Sequence, residues 1–268
     1  MKTIIHVLRL FFIFLILLSS SCKIPYYRSD SYHAPSLYKK MQLNSEFSFG
    51  TNQSIKASFS PVSNLGIMAH YQYNQGKLSD SESGAFNQRN QHSNGFGIGF
   101  YIPASDSTKG KGVVVFDGYV GLHKGISRVR TYNIKPYMDL LYVENLYADL
   151  NYSGGFLQLG FNIYGFDYGA LNIGFRLKHI SASFYHRDFY NISHTEYGYK
   201  ETTESISFDQ TQIYFGGTLG VPYIKLYASA TFDIGSAPFK KYEFLREHSF
   251  QVGAFVDITN IINVMKRN

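Results

Sequence analysis

The stretch LNIGFRLK at residues 171–178 alternates between two kinds of side chain without a break. Every odd-numbered residue in it is a large apolar one, and the residues between them are polar, charged or glycine. A period of two is that of a β-strand, in which successive side chains point to opposite faces. The stretch therefore predicts a strand with one apolar face and one polar face.

The same period recurs along the chain and predicts ten strands. They are 41–50, 53–60, 64–74, 93–102, 112–124, 154–164, 168–182, 207–219, 222–233 and 247–258. From the third strand onward the connections alternate between long and short: 75–92, 103–111, 125–153, 165–167, 183–206, 220–221 and 234–246. Barrels of bacterial outer membranes show this alternation, with short periplasmic turns and longer extracellular loops.

The composition favours a membrane barrel over a soluble one. Charged residues make up 16% of the 268 residues and aromatic residues 17%, whereas soluble domains have roughly 25% charged residues. Beyond residue 18 no apolar run approaches the length of about 20 residues that a spanning helix needs. We therefore predict an all-β fold: an antiparallel up-and-down transmembrane β-barrel over 41–258, with ten strands, or eight if 41–60 lie outside it.

The N-terminus has the features of a secretory signal that ends at a lipidation site. Residues 1–21 contain an unbroken apolar core from Leu10 to Leu18, followed by three serines. Cys22 is the only cysteine, so no disulfide can form within the chain, and its position after small residues is typical of a lipidated bacterial cysteine. Residues 22–40 are predicted to be a lipidated, extended tether.

These features predict a protein of the Gram-negative outer membrane, anchored through Cys22 and with both chain ends in the periplasm. A C-terminal tail is predicted over 259–268. The net charge of +6 is spread along the chain without long basic runs, so we expect no nucleic-acid partner.

Charged residues occur about once per strand on the polar faces. The seven that we expect in a closed, polar lumen network are Glu46, Lys56, Asp117, Arg176, Lys178, Lys225 and Asp257. Four bases and three acids can pair across a narrow lumen, which offsets the cost of removing each from water.

The mature chain resembles the outer-membrane β-barrel lipoproteins of Bacteroidota, most of which have no assigned function. The resemblance rests on the Cys22 leader, on HAPSLYKK at 33–40, on the opening hairpin QLNSEFSFGTNQSIKASFSPVSNLGIMAHYQY at 42–73, and on the repeated aromatic–glycine strands. It implies an outer-membrane barrel and says almost nothing about activity.

The best catalytic candidate is the sequence His179-Ile180-Ser181. A histidine two residues before a serine lies on the same strand face and can activate its hydroxyl, and Glu196 in the following connection can orient the histidine. The arrangement resembles that of outer-membrane lipid A deacylases. Apart from it, the sequence has no phosphate loop, metal site or nucleophile elbow, so we expect no cofactor and no metal.

Our preferred functional prediction is a non-enzymatic barrel with a structural or accessory role. We expect it to contact outer-membrane lipid and lipopolysaccharide and to act beside a larger transporter or secretion complex. The alternatives are a lipid hydrolase that uses His179 and Ser181, and a narrow passive channel. Two segments stay open: 135–150, either a short helix or the ends of two long strands, and 183–206, a tyrosine-rich loop.

Overall fold

The computed structural model of the chain describes residues 32–79, 86–104, 113–134, 142–165, 169–191, 197–221, 223–234 and 248–266. Over these residues the chain forms ten strands and one helix. They are β1 Leu43–Gly50, β2 Gln53–Phe59, β3 Leu65–Ser79, β4 Phe86–Pro103, β5 Val113–Ile134, β6 Tyr142–Gly165, β7 Gly169–Asn191, β8 Tyr197–Gly220, β9 Ile224–Ile234, β10 His248–Asp257 and α1 Ile258–Met265.

The ten strands form a single closed barrel. Each strand pairs antiparallel with its neighbours in sequence, and β1 also pairs with β10. Glu46 of β1 lies opposite Lys56 of β2 on one side and Phe255 of β10 on the other. The prediction of a ten-stranded antiparallel barrel is confirmed, and the eight-stranded alternative is wrong because β1 and β2 are part of the wall.

The barrel is apolar outside and polar inside. On β7, Leu171 and Ile173 are exposed on the outer face, while Asn172, Arg176 and Lys178 are buried in the lumen. The other strands repeat this arrangement, with exposed Phe, Leu, Ile and Val on the outside. This is the reverse of a soluble protein and is the distribution of a barrel whose outer wall contacts lipid. We call the part of the exterior that carries these exposed apolar residues the apolar band.

The barrel has two ends, which we call the lower mouth and the upper mouth, and the strands extend further beyond the apolar band at the upper mouth. The lower mouth holds the start of β1, β5 and β7 and the end of β10. At the upper mouth the middle strands extend well beyond the apolar band, and β6 and β8 are each 24 residues long.

The upper extensions replace most of three predicted connections, 75–92, 125–153 and 183–206. Residues 142–150 belong to β6 rather than to a helix, and the predicted loop 183–206 is mostly strand, since β7 ends at Asn191 and β8 begins at Tyr197. Above the apolar band the outer wall is polar, so the apolar alternation ends there while the backbone pairing continues. The sequence pattern therefore underestimated the strand lengths.

The C-terminal residues form α1 at the lower mouth. Asp257 is its N-cap and accepts a hydrogen bond from the backbone N–H of Asn260 at 2.9 Å. Thr259 fixes α1 against the chain before β1, because its hydroxyl oxygen accepts from the N–H of Leu43 at 2.7 Å and donates to the carbonyl of Met41 at 3.1 Å. No helix among the described residues is long and apolar enough to cross a membrane.

A charge in the middle of the apolar band is expected to destabilise the barrel in lipid. Ile173→Arg should lower the free energy of unfolding from vesicles by about 2–4 kcal/mol, since arginine near the bilayer midplane loses its hydration. Ser183→Arg, on the same face of β7 but above the band, is the matched control and should change it little. Urea unfolding in vesicles measures both, and equal effects of the two substitutions would contradict a lipid-facing band.

Candidate functional site

The lumen is occupied by the chain's own N-terminal segment. Residues 32–38, which we call the plug, form a segment without regular secondary structure inside the barrel, in which Ser36 has a φ of 54°. Tyr32 and Leu37 are only 2% and 1% exposed. This segment is part of the predicted tether 22–40. Composition gave no signal that any of it would be buried.

Side chains of the barrel wall pair with four backbone carbonyls of the plug. A segment inside a lumen offers carbonyl groups that no neighbouring strand pairs, and polar side chains of the wall donate to them here. The bonds are Lys56 Nζ to Tyr32 O at 2.8 Å, Gln158 Nε2 to His33 O at 2.6 Å, Ser58 Oγ to Pro35 O at 2.6 Å, and Asn44 Nδ2 to Ser36 O at 2.9 Å. The donors come from β1, β2 and β6, so the plug is held from several sides.

Tyr32 is the deepest anchor of the plug. Its ring stacks on Tyr214 of β8 with a centroid distance of 4.3 Å and an interplanar angle of 16°. Its hydroxyl donates to the carbonyl of Leu159 at 3.0 Å, and the guanidinium of Arg176 lies 5.5 Å from its ring centroid. Gly174 makes this position possible, because a Cβ there would lie 2.2 Å from the tyrosine hydroxyl.

The plug enters through the lower mouth and runs upward towards its N-terminal end. Leu37 packs with Tyr101 at the end of β4 and with Val113 and Val115 at the start of β5. Tyr32 lies higher, beside Gly174 within β7. Above the plug, an apolar cluster lies on the inward faces of three strands: Ala148, Leu150 and Tyr152 of β6, Ile180, Ala182 and Phe184 of β7, and Phe208 of β8.

The charged residues predicted to line the lumen lie on inward-facing positions. Not every acid among them pairs with a base. Glu46 and Lys56 form an ion pair at 2.5 Å with both side chains buried. Asp117 instead accepts from the side-chain amide of Asn162 at 2.6 Å, and Arg176 donates to Gln212 at 2.7 Å.

The remaining three predicted lumen residues lie at different heights. Lys178 is buried within β7. Lys225 is half-buried at the lower end of β9. Asp257 is buried at the lower mouth, where it caps α1.

His179 and Ser181 point to the exterior of the barrel. His179 does not bond to Ser181 but to two residues of β8: its Nδ1 lies 2.7 Å from Asp209 Oδ1, and its Nε2 lies 3.1 Å from Ser207 Oγ. Ser181 Oγ lies 3.4 Å from Ser207 Oγ. Glu196, the predicted orienting carboxylate, lies outside the described residues.

Sequence reasoning missed Ser207 and Asp209 because they lie on another strand. Asp209 is directly opposite His179 in the pairing of β7 with β8, and Ser207 is opposite Ser181. Only the register of that hairpin brings the four side chains together, and the apolar alternation does not fix a register.

An ion pair lies further up the same hairpin. Arg187 of β7 donates to Glu201 of β8, and the guanidinium lies 5.0 Å from the ring centroid of Tyr199. Hydrogen bonds from Tyr185 and from Arg187 lower the pKa of Glu201. Both charged side chains are solvent-exposed, so the pair contributes little to stability. Among the residues that the structure describes, no group of three or more His, Cys, Asp or Glu is placed to hold a metal ion.

The comparisons with known proteins assign no family to this chain. No family model matches it, and no curated protein matches it. Among solved structures, OmpT expressed in the outer membrane of Vibrio cholerae is 9% identical with a TM-score of 0.18, and covers 81% of this chain and 95% of its own. A loop L8 deletion mutant of that OmpT is 9% identical with a TM-score of 0.19, over 80% and 96% of the two chains. Similarities this weak do not bear on the function of this protein.

The fit of Tyr32 against Gly174 can be tested directly. Gly174→Ala should displace the tyrosine ring and loosen the plug, because the new methyl group overlaps the ring atoms. We expect proteolysis within 32–38 at least ten times faster than in the wild type, in detergent. Gly165→Ala is the matched control, since nothing lies within 4 Å of a Cβ at that position. Equal cleavage rates in the two variants would contradict the position of Tyr32.

Proposed function

We propose that the protein is a lipid-anchored barrel of the outer membrane whose lumen is closed by its own plug, and that it has a structural or accessory role rather than a transport role. The observation that carries this proposal is the pairing of the plug carbonyls with side chains of the wall. A channel would leave those side chains to water or solute. Here carbonyl groups of the plug accept hydrogen bonds from the side chains of Lys56, Gln158, Ser58 and Asn44.

The exterior above the apolar band supports contact with lipopolysaccharide. On β5, Lys124, Arg128 and Arg130 are exposed on the outer face above the exposed apolar Leu122, with the exposed Ile126 between Lys124 and Arg128. Arg128 also lies 3.6 Å from Asp149 of β6. Cations at this height suit the phosphate groups of an outer-leaflet lipid, which arginine binds in a bidentate manner. The upper mouth, where the strands extend beyond the apolar band, then faces outward and the lower mouth faces the periplasm.

The closed lumen predicts an absence of conductance. The purified wild-type protein in planar bilayers should show no steady current, and deletion of residues 32–38 should produce open events, because it removes the plug. Deletion of residues 23–29, which precede the plug, is the matched control and should leave the protein silent. A steady current through the wild type would contradict a closed barrel.

Cys22 is expected to carry the lipid. Labelled fatty acid should be incorporated into the wild type, and Cys22→Ser should abolish the labelling because the thiol is the acceptor. Heat-modifiable gel mobility of the variant is the control that the barrel has still formed. Unchanged incorporation in Cys22→Ser, or recovery of the mature protein in the soluble periplasm, would overturn the anchored placement.

A further inference from the structure

Three side chains on the outer wall form a chain of hydrogen bonds. Asp209, His179 and Ser207 lie in this order, with 2.7 Å between Asp209 Oδ1 and His179 Nδ1 and 3.1 Å between His179 Nε2 and Ser207 Oγ. When the ring carries its proton on Nδ1, it donates to the carboxylate, and Nε2 accepts from the serine hydroxyl. A serine, a base and a group that orients the base, all within hydrogen-bonding distance, are the arrangement that activates a serine nucleophile.

The three residues lie where the apolar band ends. Below them on the same outer face, Leu177 of β7 is exposed, as is Phe215 of β8. Above them the face changes to small polar residues, with Ser183 of β7 paired to Ser205 of β8. In a bilayer this is the height at which acyl chains join their polar headgroups. The serine hydroxyl is therefore at the level of lipid ester bonds.

An apolar groove begins beside the histidine. It has a volume of about 400 Å³, and Leu157, Leu177, His179 and Asp209 are among the residues that line it. Gly155 of β6, directly opposite His179, opens the groove, because a Cβ at this position would find no atom nearer than 3.7 Å. The groove is thus bounded by a catalytic-type histidine at one end and leucines at the other, which suits an acyl chain next to an ester.

We propose that the outer wall of this barrel carries a serine-type hydrolytic site for fatty-acyl esters, with Ser207 as the nucleophile, His179 as the general base and Asp209 as the positioning residue. The barrel supplies the site on its lipid-facing surface, so a closed lumen does not interfere with it. The proposal corrects the sequence-based hypothesis in two of its three residues: Ser207 replaces Ser181 as the nucleophile, and Asp209 replaces Glu196 beside the histidine.

The chemistry balances with water as the co-reactant. His179 Nε2 takes the proton of Ser207 as Oγ attacks the acyl carbon, and the tetrahedral oxyanion forms. Collapse breaks the bond between the acyl carbon and the alcohol oxygen, and His179 returns the proton to the leaving alcohol. Water, deprotonated by His179, then attacks the acyl-serine, the bond between the acyl carbon and Ser207 Oγ breaks, and His179 returns the proton to Oγ as the fatty acid is released. Ser181, with its hydroxyl 3.4 Å from Ser207 Oγ, is placed to donate to the oxyanion.

Fatty-acyl esters at this height belong either to glycerophospholipids or to lipopolysaccharide. Both present an acyl carbon at the boundary between chains and headgroups, so the site geometry selects the ester and not its source. The inference uses the same lipid-facing wall as the proposed function, but hydrolysis can be assayed in detergent micelles. A failure to find hydrolysis is therefore distinguishable from a failure of the closed, anchored barrel, because conductance and lipid labelling test the barrel separately.

The experiment uses the full-length protein in detergent and two readouts. A fluorophosphonate probe reports a nucleophilic serine, and mass spectrometry reports fatty acid released from phosphatidylethanolamine in one arm and from purified lipopolysaccharide in the other. We expect labelling of the wild type and release in at least one arm, and a loss of turnover of about 10³-fold in Ser207→Ala and in His179→Ala. Ser205→Ala, the next residue on the same face of β8, is the matched control and should stay within twofold.

The positioning role of Asp209 is tested by the separate effects of its substitution on kcat and KM, because a residue that only packs would not change kcat alone. Asp209 on β8 is the charged side chain paired with His179, while Gly155 faces it from β6. Asp209→Asn replaces the carboxylate oxygen that accepts from His179 Nδ1, so kcat should fall while KM stays unchanged, and Asp209→Glu should restore part of kcat. A kcat in Asp209→Asn equal to that of the wild type would show that Asp209 does not position the histidine.

Every variant is first checked for heat-modifiable mobility, so that loss of folding is recognised. The proposal is overturned if the folded wild type neither labels nor releases fatty acid in either arm. It is also overturned if Ser207→Ala keeps full labelling and turnover. Loss of labelling in Ser181→Ala with normal labelling of Ser207→Ala would overturn the assignment of the nucleophile.

Discussion

The interior of the barrel depends on the buried ammonium group of Lys56. Lys56 of β2 donates to Glu46 of β1, to the amide oxygen of Gln251 on β10 and to the carbonyl of Tyr32 in the plug. One cation therefore joins the two strands that close the barrel to the segment that fills it. Removal of one partner from a buried ion pair typically costs about 3–5 kcal/mol, because the other charge is left without compensation. Closure of the barrel between β1 and β10 and binding of the plug in the lumen are therefore energetically coupled.

A closed barrel in lipid gives its two surfaces opposite requirements. Lipid selects apolar side chains on the outside, whereas the narrow lumen must give every polar group a partner. Because successive residues of a strand face opposite sides, Lys178 and His179 are neighbours in sequence yet belong to the lumen and to the lipid-facing wall. The lumen can therefore be filled and rigid without restricting what the outer wall contacts.

The parts of this structure that sequence could predict are those set by local alternation. Leu171–Lys178 shows the strand and its two faces, and the repeated pattern gives the number of strands. The low charge of the whole chain, rather than the alternation, favours lipid on the apolar side. Tyr32–Tyr38 could not be placed, because a segment without periodicity looks the same outside a barrel and inside one. His179 and Asp209 lie on two predicted strands, but their pairing depends on the register of the hairpin between β7 and β8, and the connection 183–206 of that hairpin was predicted as a loop. Long-range register is a property of the folded sheet and not of either strand alone.

A filled lumen also explains why chemistry on this barrel belongs on its outer wall. A catalytic group needs a side chain held in one geometry, and strand positions hold side chains more accurately than loops do. His179 is fixed by its strand and by bonds to both Asp209 and Ser207, and behind it the inward-facing Ile180 packs in the apolar cluster of the upper lumen. The rigidity created by closing the barrel therefore extends to the outer face. The same packing that places the plug in the lumen supplies the fixed support that a site on the lipid-facing wall requires.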